Sequence, residues 1–302
     1  TQILEAIEHN DSFDSKEKEM MKIGVHVLPK FQKDNTDRNR TSPFAFTGNK
    51  FEFRMLGSSA SIAGANIVMN TAVAQVLREF AEELDGVVNF QKALHDLIRR
   101  TIINHKRILF NGNGYEDAWI EEAARRGLSN FKTTPEALVH YMDEKNVALF
   151  TQNKVLSESE MKARAEIYFE NYCKVLNVEA LTMVDMVRRN ILPAASKFAG
   201  DTASNAAGIL SVSPDSDTSY EQDMITQITD LISKTHKTVK ILSDVNAQTK
   251  SVTDSQERAM AYKDSVLPVM EELRSYVDTL ETLVSKEYWP FPDYGDLLFG
   301  VR

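Results

Sequence analysis

The sequence predicts an α+β protein that is predominantly α-helical, with one β-hairpin followed by a long-helix C-terminal extension. The segment PFAFTGNKFEFRM (43–55) places phenylalanines at alternate positions on both sides of Gly48-Asn49, which is a hairpin pattern. Farther along, apolar residues recur every three or four positions over 224–245 and 266–284. That period is typical of amphipathic helices.

The residues before the hairpin are predicted to form two helices and a loop. TQILEAIEHN is helical in composition from its first residue, so we expect that further residues precede Thr1 in the complete protein. A second helix is predicted from Ser15, with Met20 and Met21 among its apolar positions, and Pro29 ends it. Residues 30–42 are rich in Asn, Asp and Thr, which favours a loop.

The hairpin register follows from its turn. Gly48-Asn49 suits a type II′ turn, and counting outward pairs Phe46 with Phe51, Ala45 with Glu52, and Phe44 with Phe53. Alternate residues of a strand point to opposite faces. The register therefore predicts four phenylalanines on one face and a polar face that carries Glu52 and Arg54.

Helices are predicted over 67–84, 89–110 and 115–126, with breaks at Asp85-Gly86 and Gly127. Thr134 is predicted to be an N-cap, followed by proline at the first helical position. A long helix is expected from the capping box Ser157–Glu160 to about Phe198, and residues 199–220 are expected to be a turn or flexible connection. The predicted stripe of the long helix is Met161, Ile167, Tyr168, Tyr172, Val175, Leu176, Leu181, Val184 and Val187.

The C-terminal part is predicted to contain a helical hairpin. Matched apolar stripes predict two long antiparallel helices over about 221–286, joined near Thr249–Ser255. Structural packing is the expected role of these stripes. The tail EYWPFPDYGDLLFGVR has two prolines and five aromatic residues, so we expect it to leave the helix and dock on a surface groove.

Composition narrows the function classes. The 302 residues carry a net charge of −9, and they lack a basic cluster of the kind that binds phosphate backbones, so a nucleic-acid partner is not expected. The sequence has no run of about 18 apolar residues, so a membrane span is not predicted. It also has no basic amphipathic face, so membrane-surface binding is not predicted. Cys173 is the only cysteine. An intramolecular disulfide is therefore impossible, which fits a cytoplasmic location.

The loop arginines Arg38 and Arg40 and the hairpin pair Glu52 and Arg54 are the residues most able to carry chemistry. The guanidinium fork of arginine suits carboxylates and phosphates, and a strand glutamate suits Mg²⁺ or Mn²⁺. The four together predict a metal-assisted phosphate site. The alternative is a solvated Glu52–Arg54 strand pair, and spacing alone favours that alternative.

The six histidines have no spacing typical of a metal pair. For His9, His26, His95, His105, His140 and His236, a surface or core position on a helix is the expectation. They do not extend the predicted metal site.

A family resemblance strengthens the first interpretation. Asn39-Arg40-Thr41, followed by Phe51-Glu52-Phe53-Arg54, resembles the paired motifs of glutamine synthetases. The string DRNRTSPFAFTGNKFEFRMLGSSASIA is similar to the type III branch, as are KTTPEAL, NVEALTMVDM, ILPAA and YWPFPDYGDLLF. The resemblance runs from about residue 30 to the end of the chain.

The resemblance implies an activity and residue roles. Glutamine synthetases form glutamine from glutamate, ammonia and ATP through a γ-glutamyl phosphate, with Mg²⁺ or Mn²⁺. By motif position, Arg40 would contact the nucleotide phosphates and Glu52 would bind the metal nearest the transferred phosphoryl group. Arg54 would engage the substrate glutamate or that phosphoryl group. These roles suit phosphoryl transfer, where positioning and charge neutralisation dominate catalysis.

Two departures from the family pattern are visible. Ala45 occupies a position where many members carry a further arginine, and Leu56-Gly57 replaces a common Pro-Asp. The family's other metal-binding glutamates, its metal-binding histidine and its nucleotide-binding segment lie upstream of this region and are not identified here. The resemblance therefore implies a partial active site, and we expect this chain alone to be inactive.

The resulting prediction divides the chain at residue 66. Residues 1–66 would be the C-terminal portion of a catalytic domain, and residues 67–302 a helical region. Since the family forms rings with sites between subunits, a homo-oligomer is expected. The alternative is a non-catalytic helical interaction or oligomerisation module derived from the enzyme.

Overall fold

The computed structural model describes residues 2–10, 20–21, 31–32, 44–46, 51–53, 61–110 and 116–300. The chain divides into two compact units. The first comprises residues 1–130 and 149–155, and the second comprises 131–148 and 156–302. Each unit is described by itself.

The first unit begins with short elements. Helix α1 spans Gln2–His9. Strand β1 (Met20–Met21) pairs antiparallel with β2 (Phe31–Gln32). Strand β3 (Phe44–Phe46) pairs antiparallel with β4 (Phe51–Phe53).

The strand β1 contradicts the helix predicted through Met20 and Met21, and β2 interrupts the loop predicted over 30–42. Residues 20–28 (MMKIGVHVL) form a short apolar run with β-branched residues. Periodicity alone does not separate helix from strand in such a run.

Three longer helices follow in the first unit. Helix α2 spans Ala63–Leu84, α3 spans Phe90–His105 and continues as a 3₁₀ turn over Lys106–Ile108, and α4 spans Asp117–Arg125. The predicted breaks are confirmed, because Gly86 and Gly127 adopt φ of +67° and +70°, which favours glycine. Asn89 caps α3 by accepting a hydrogen bond from the Lys92 N–H at 3.1 Å.

The second unit begins with α5 (Thr134–Val139) and a 3₁₀ turn over His140–Met142. Helix α6 (Glu144–Gln152) follows, and its last residues, from Leu149, belong to the first unit. The N-cap of α5 is Thr133, one residue before the predicted Thr134. The Glu136 carboxylate accepts a hydrogen bond from the Thr133 N–H at 3.1 Å, so the cap forms one residue earlier.

Long helices form the rest of the second unit. Helix α7 (Glu158–Met186) passes through a π-helical turn (Val187–Ile191) into α8 (Leu192–Val212). Helix α9 spans Ser219–Lys250. Helix α10 (Ser255–Ala261) passes through a second π-helical turn (Tyr262–Val266) into α11 (Leu267–Leu283).

These helices form an antiparallel bundle. Helix α9 packs against both α8 and α11, and α7 packs against α10. The four residues between α9 and α10 reverse the chain, which confirms the predicted helical hairpin and its connection. The predicted stripes of both helices lie in or against the core, with Met224, Leu231, Val245 and Val277 partly buried. Core side chains with no exposed surface include Ala180, Ala195, Ile228, Leu242, Ala259, Val266, Leu273 and Leu280.

The stripe predicted on α7 is wrong at four positions. Met161, Leu176 and Val184 are buried, but Ile167, Tyr168, Val175 and Leu181 are 60%, 39%, 47% and 51% exposed. Helix α7 carries apolar residues around much of its circumference. At 100° per residue, the buried positions lie on one face and these four lie outside it.

The connection predicted over 199–220 is wrong over most of its length, because α8 continues to Val212. The Thr202 hydroxyl donates to the Phe198 carbonyl at 2.8 Å, and the Ser204 hydroxyl donates to the Gly200 carbonyl at 2.9 Å. Ala199 and Ala206 are buried. Small residues allow close packing of α8 on α9, so tertiary contacts override a turn-like composition.

The C-terminal tail packs on the bundle. Tyr288, Trp289 and Phe291 lie against the core of the second unit. The Tyr288 hydroxyl donates to a carboxylate oxygen of Asp201 at 2.8 Å, and its ring contacts Phe198 at 5.2 Å between centroids. Helix α12 (Tyr294–Phe299) ends the described chain.

The predicted α+β class is wrong, and the described architecture is all-α. From residue 61 to 300, every described helix or strand is a helix. The strand pairs of two and three residues form no layer of the bundle core, which helices build. Among the described residues, no helix is both long and apolar enough to cross a membrane.

Candidate functional site

The candidate metal ligand Glu52 lies in the middle of strand β4. The backbone pairing places it opposite Ala45, with Phe44 opposite Phe53 and Phe46 opposite Phe51 on either side. Arg40 and Arg54 lie outside the described residues, as do residues 47–50 of the predicted turn. The structure therefore gives the backbone setting of Glu52, and the roles of all three residues stay predictions.

The histidines make local contacts. The His95 Nε2 atom lies 3.0 Å from the Asn10 amide oxygen. The His140 Nδ1 atom lies 3.0 Å from an Asp143 carboxylate oxygen, and the His140 ring stacks on Phe131. Within the described ranges, no group of three or more His, Cys, Asp or Glu residues could hold a metal ion.

The most strongly shifted carboxyl group in the first unit belongs to Glu122. Hydrogen bonds from Arg125 and Arg126 lower its pKa to about 2. Arg126 also donates to the Leu109 carbonyl at 2.7 Å and lies over the Trp119 ring. A shifted pKa can mark a functional site, but this network ties α4 to the segment after α3 and has a structural role.

A second charged network lies in the second unit. The Lys263 ammonium contacts Glu136 at 2.9 Å and Asp264 at 3.1 Å. The hydrogen bond from Lys263 is the largest cause of the lowered pKa of the Glu136 carboxyl. Because Glu136 also accepts from the N-cap of α5, this network joins α5 to the second π-helical turn. This network therefore also has a structural role.

Comparison with known families gives the class of this helical region. Residues 93–209, from α3 to near the end of α8, match the family described as "Glutamine synthetase C-terminal domain". The helices of this segment therefore define a region found in glutamine synthetases. This match does not include Arg40, Glu52 or Arg54.

Similarity to individual proteins extends over nearly the whole chain. It is 37% identical to a "Type-3 glutamine synthetase" of Dictyostelium discoideum, over 98% of this chain and 41% of that protein. It is 34% identical to a "Glutamine synthetase" of Bacteroides fragilis, over 96% of this chain and 41% of that protein. It is 32% identical to a "Glutamine synthetase" of Butyrivibrio fibrisolvens, over 100% of this chain and 43% of that protein.

These similarities support membership of the glutamine synthetase family, and one of the three relatives is named as a type-3 enzyme. It spans about two fifths of the length of the curated relatives it matches. The activity of the whole protein is thus a separate question from family membership.

Proposed function

We propose that a polypeptide of the relatives' length containing this chain joins ammonia to glutamate with ATP, through a γ-glutamyl phosphate. The observation that supports this most directly is the paired motif Asn39-Arg40-Thr41 and Glu52-Phe53-Arg54. It lies in a chain related over almost its entire length to proteins named glutamine synthetase. We assign residues 1–66 to the catalytic domain and residues 67–302 to its helical extension.

Glu52 fits a divalent metal by the chemistry of its donor atoms. Carboxylate oxygens are preferred ligands of Mg²⁺ and Mn²⁺. One carboxylate is an incomplete set, and the described residues contain no cluster of three ligands. In this proposal, the remaining ligands come from the part of the polypeptide that this chain does not span.

The two arginines bind and position the reacting groups. Arg40 would hold the nucleotide phosphates, and Arg54 would hold the substrate glutamate or the phosphoryl group during transfer. A planar guanidinium matches two oxygens at once, which orients a phosphate or carboxylate as well as neutralising it. The metal, when bound, would neutralise charge on the phosphoryl oxygens. Such positioning and neutralisation dominate phosphoryl transfer.

The same proposal includes a homo-oligomer and a cytoplasmic location. A ring-forming homo-oligomer follows from the family resemblance. The cytoplasmic location agrees with a chain that has a single cysteine and hence no intramolecular disulfide. We further infer that the 302-residue chain alone has no synthetase activity, because it supplies one metal ligand and two arginines of the site.

The test is a biosynthetic assay with glutamate, ammonia, ATP and Mg²⁺ or Mn²⁺. A polypeptide of the relatives' length should form glutamine above background, and the 302-residue chain should give the background rate only. Glu52→Gln should keep the fold but sharply weaken the apparent affinity for the metal. Glu179→Gln, at an exposed position of α7, is the matched control and should behave as the parent.

Unchanged metal dependence in Glu52→Gln would reject the role of Glu52. Turnover by the 302-residue chain would reject the incomplete-site proposal. A folded, relatives-length protein without activity or metal dependence would favour the alternative, a helical oligomerisation module that descends from the enzyme.

A further inference from the structure

A cleft of about 220 Å³ lies wholly within the second unit, away from the predicted catalytic residues in the sequence. Its walls come from three parts of the bundle: the middle of α7, the last turn of α9, and α10 with the π-helical turn that follows. The cleft is smaller than sites for drug-sized ligands, which are about 300–1,000 Å³. It is therefore suited to a small metabolite.

The cleft carries more positive than negative charge. Lys174, Lys250 and Arg258 line it together with a single carboxylate, Glu170. Glu170 contacts Lys174 at 2.8 Å, so these two charges compensate each other. Lys250 and Arg258 have no carboxylate within salt-bridge distance among the residues the structure describes. The Glu170 charge also acts on Arg258, so the cleft carries three cations against one carboxylate, in a chain of net charge −9.

Arg258 is held in place without losing its capacity to bind an anion. One of its terminal N–H groups donates to the Val252 carbonyl at 3.0 Å, in the connection between α9 and α10. A guanidinium has five N–H donors, so this bond fixes its orientation and leaves others for a ligand. Fixing a donor in advance lowers the ordering cost of binding.

A pair of side-chain amides adds another donor to the cleft. Asn246, one helical turn before Lys250, is 4% exposed and donates its side-chain N–H to the Asn177 amide oxygen at 3.1 Å. Asn177 lines the cleft. Since its oxygen already accepts a hydrogen bond, the NH₂ group is its main remaining binding capacity. A donor suits an oxyanion, as do Lys250 and Arg258.

The surface of the cleft favours an organic ligand over a bare inorganic ion, because most of its exposed lining is apolar. Cys173 and Tyr262 close the cleft from below, and they are 4% and 1% exposed, so they contribute little of that surface. A ligand with both charged oxygens and a short carbon skeleton would use the cations and the apolar surface.

We propose that this cleft is a binding site for a small organic dicarboxylate. Two negative charges match Lys250 and Arg258, which make no salt bridge among the described residues. The Asn177 NH₂ group donates to a ligand oxygen, and the apolar lining of the cleft contacts the carbon skeleton. The site is independent of the proposed catalytic residues.

Succinate is the probe, and isothermal titration calorimetry on the intact 302-residue chain at low salt is the measurement. Succinate should bind saturably, and neutral succinamide should not. Lys250→Gln should weaken succinate binding at least threefold, and Arg258→Gln at least tenfold. Lys240→Gln, exposed and about three turns earlier on α9, is the matched control and should leave the affinity unchanged.

If Arg258→Gln does not fold, Lys250→Gln still decides, since Lys250 is exposed and makes no ion pair among the described residues.

Three outcomes would overturn the proposal. The first is the absence of saturable succinate binding. The second is equal affinity of Lys250→Gln and Lys240→Gln for succinate. The third is inorganic phosphate binding as tightly as succinate, which would identify an oxyanion site with no preference for a carbon skeleton.

Discussion

Pro193 and Pro268 occupy equivalent positions in two different long helices, each two residues after a π-helical turn. A leucine separates the turn from the proline in both cases. Proline has no N–H to donate, and its ring crowds the carbonyl four residues earlier. A wider π turn is a known way to accommodate such a break. Both helices thus continue through a proline without leaving the bundle.

The π-helical turn at Val187–Ile191 should behave as a one-residue insertion. Val187, Ile191 and Ala195 are all buried, so the core face is kept at four-residue intervals through the turn. Deleting exposed Asn190 together with Pro193→Ala should restore a regular α-helix that keeps this face. We expect a free energy of unfolding within about 1 kcal/mol of the parent, measured by urea denaturation.

The control is deletion of exposed Glu179 from the regular part of α7. That deletion rotates the core residues after position 179 by about 100° relative to those before it. It should lower the free energy of unfolding by at least about 3 kcal/mol. Equal losses in the two deletions would show that the π turn is not an insertion in a regular helical frame.

Thr235 is a polar residue in an apolar core. Its side chain has no exposed surface, and its hydroxyl has no hydrogen-bond partner in the described part of the chain. Thr235→Val keeps the shape and removes the unpaired hydroxyl, so the free energy of unfolding should rise by about 1 kcal/mol. Thermal and urea denaturation are the measurements.

Thr229→Val in the same helix is the matched control, since the exposed Thr229 hydroxyl donates to the Ile225 carbonyl at 2.7 Å. It should change stability by less than about 0.5 kcal/mol. A loss of stability in Thr235→Val would mean that its hydroxyl makes a favourable contact.

Leu273 lies at the centre of the helical hairpin with no exposed surface. Leu273→Asp would bury a charge without a partner and should cost at least about 3 kcal/mol in urea denaturation. Ser275→Asp, exposed on the same helix, should cost less than about 0.5 kcal/mol. A tolerated Leu273→Asp would show that this stripe is not core.

The sequence predicted those helices whose apolar pattern had one clear face. Ile228 and Leu242 belong to the predicted stripe of α9 and Leu273 to that of α11, and all three are fully buried. Helix breaks at Gly86 and Gly127 were also predictable, because a positive φ strongly favours glycine. Local chemistry is enough for such features.

Tertiary packing decided what the sequence could not show. Helix α7 has apolar residues on several faces, so nothing local marks Ile167 as exposed and Met161 as buried. Composition favours a turn near Gly200, but packing of α8 on α9 keeps the helix intact. The cleft beside Lys250 and Arg258 was missed because its residues are far apart in sequence. The only local signal of the cleft was that Lys250 and Arg258 lie on either side of the connection at 251–254.

The decisive test of the predicted catalytic role concerns Arg54 in the relatives-length enzyme. If its guanidinium grips the glutamate carboxylate or the moving phosphoryl group, both its fork geometry and its charge matter. Arg54→Lys should then lose most activity, because lysine provides a point charge without two parallel N–H donors. Steady-state kinetics at saturating metal is the measurement.

The kinetic pattern would show when Arg54 makes its contact. A contact made mainly in the transition state would lower turnover, and one made equally in the bound substrate would raise the Michaelis constant. Arg78→Lys is the control, since Arg78 is exposed on α2 and its Nε atom lies 3.8 Å from the Glu82 Oε1 atom in a surface ion pair. If both kinetic parameters of Arg54→Lys stay within about twofold, well under 1 kcal/mol, Arg54 only pairs with Glu52 and its catalytic role is wrong.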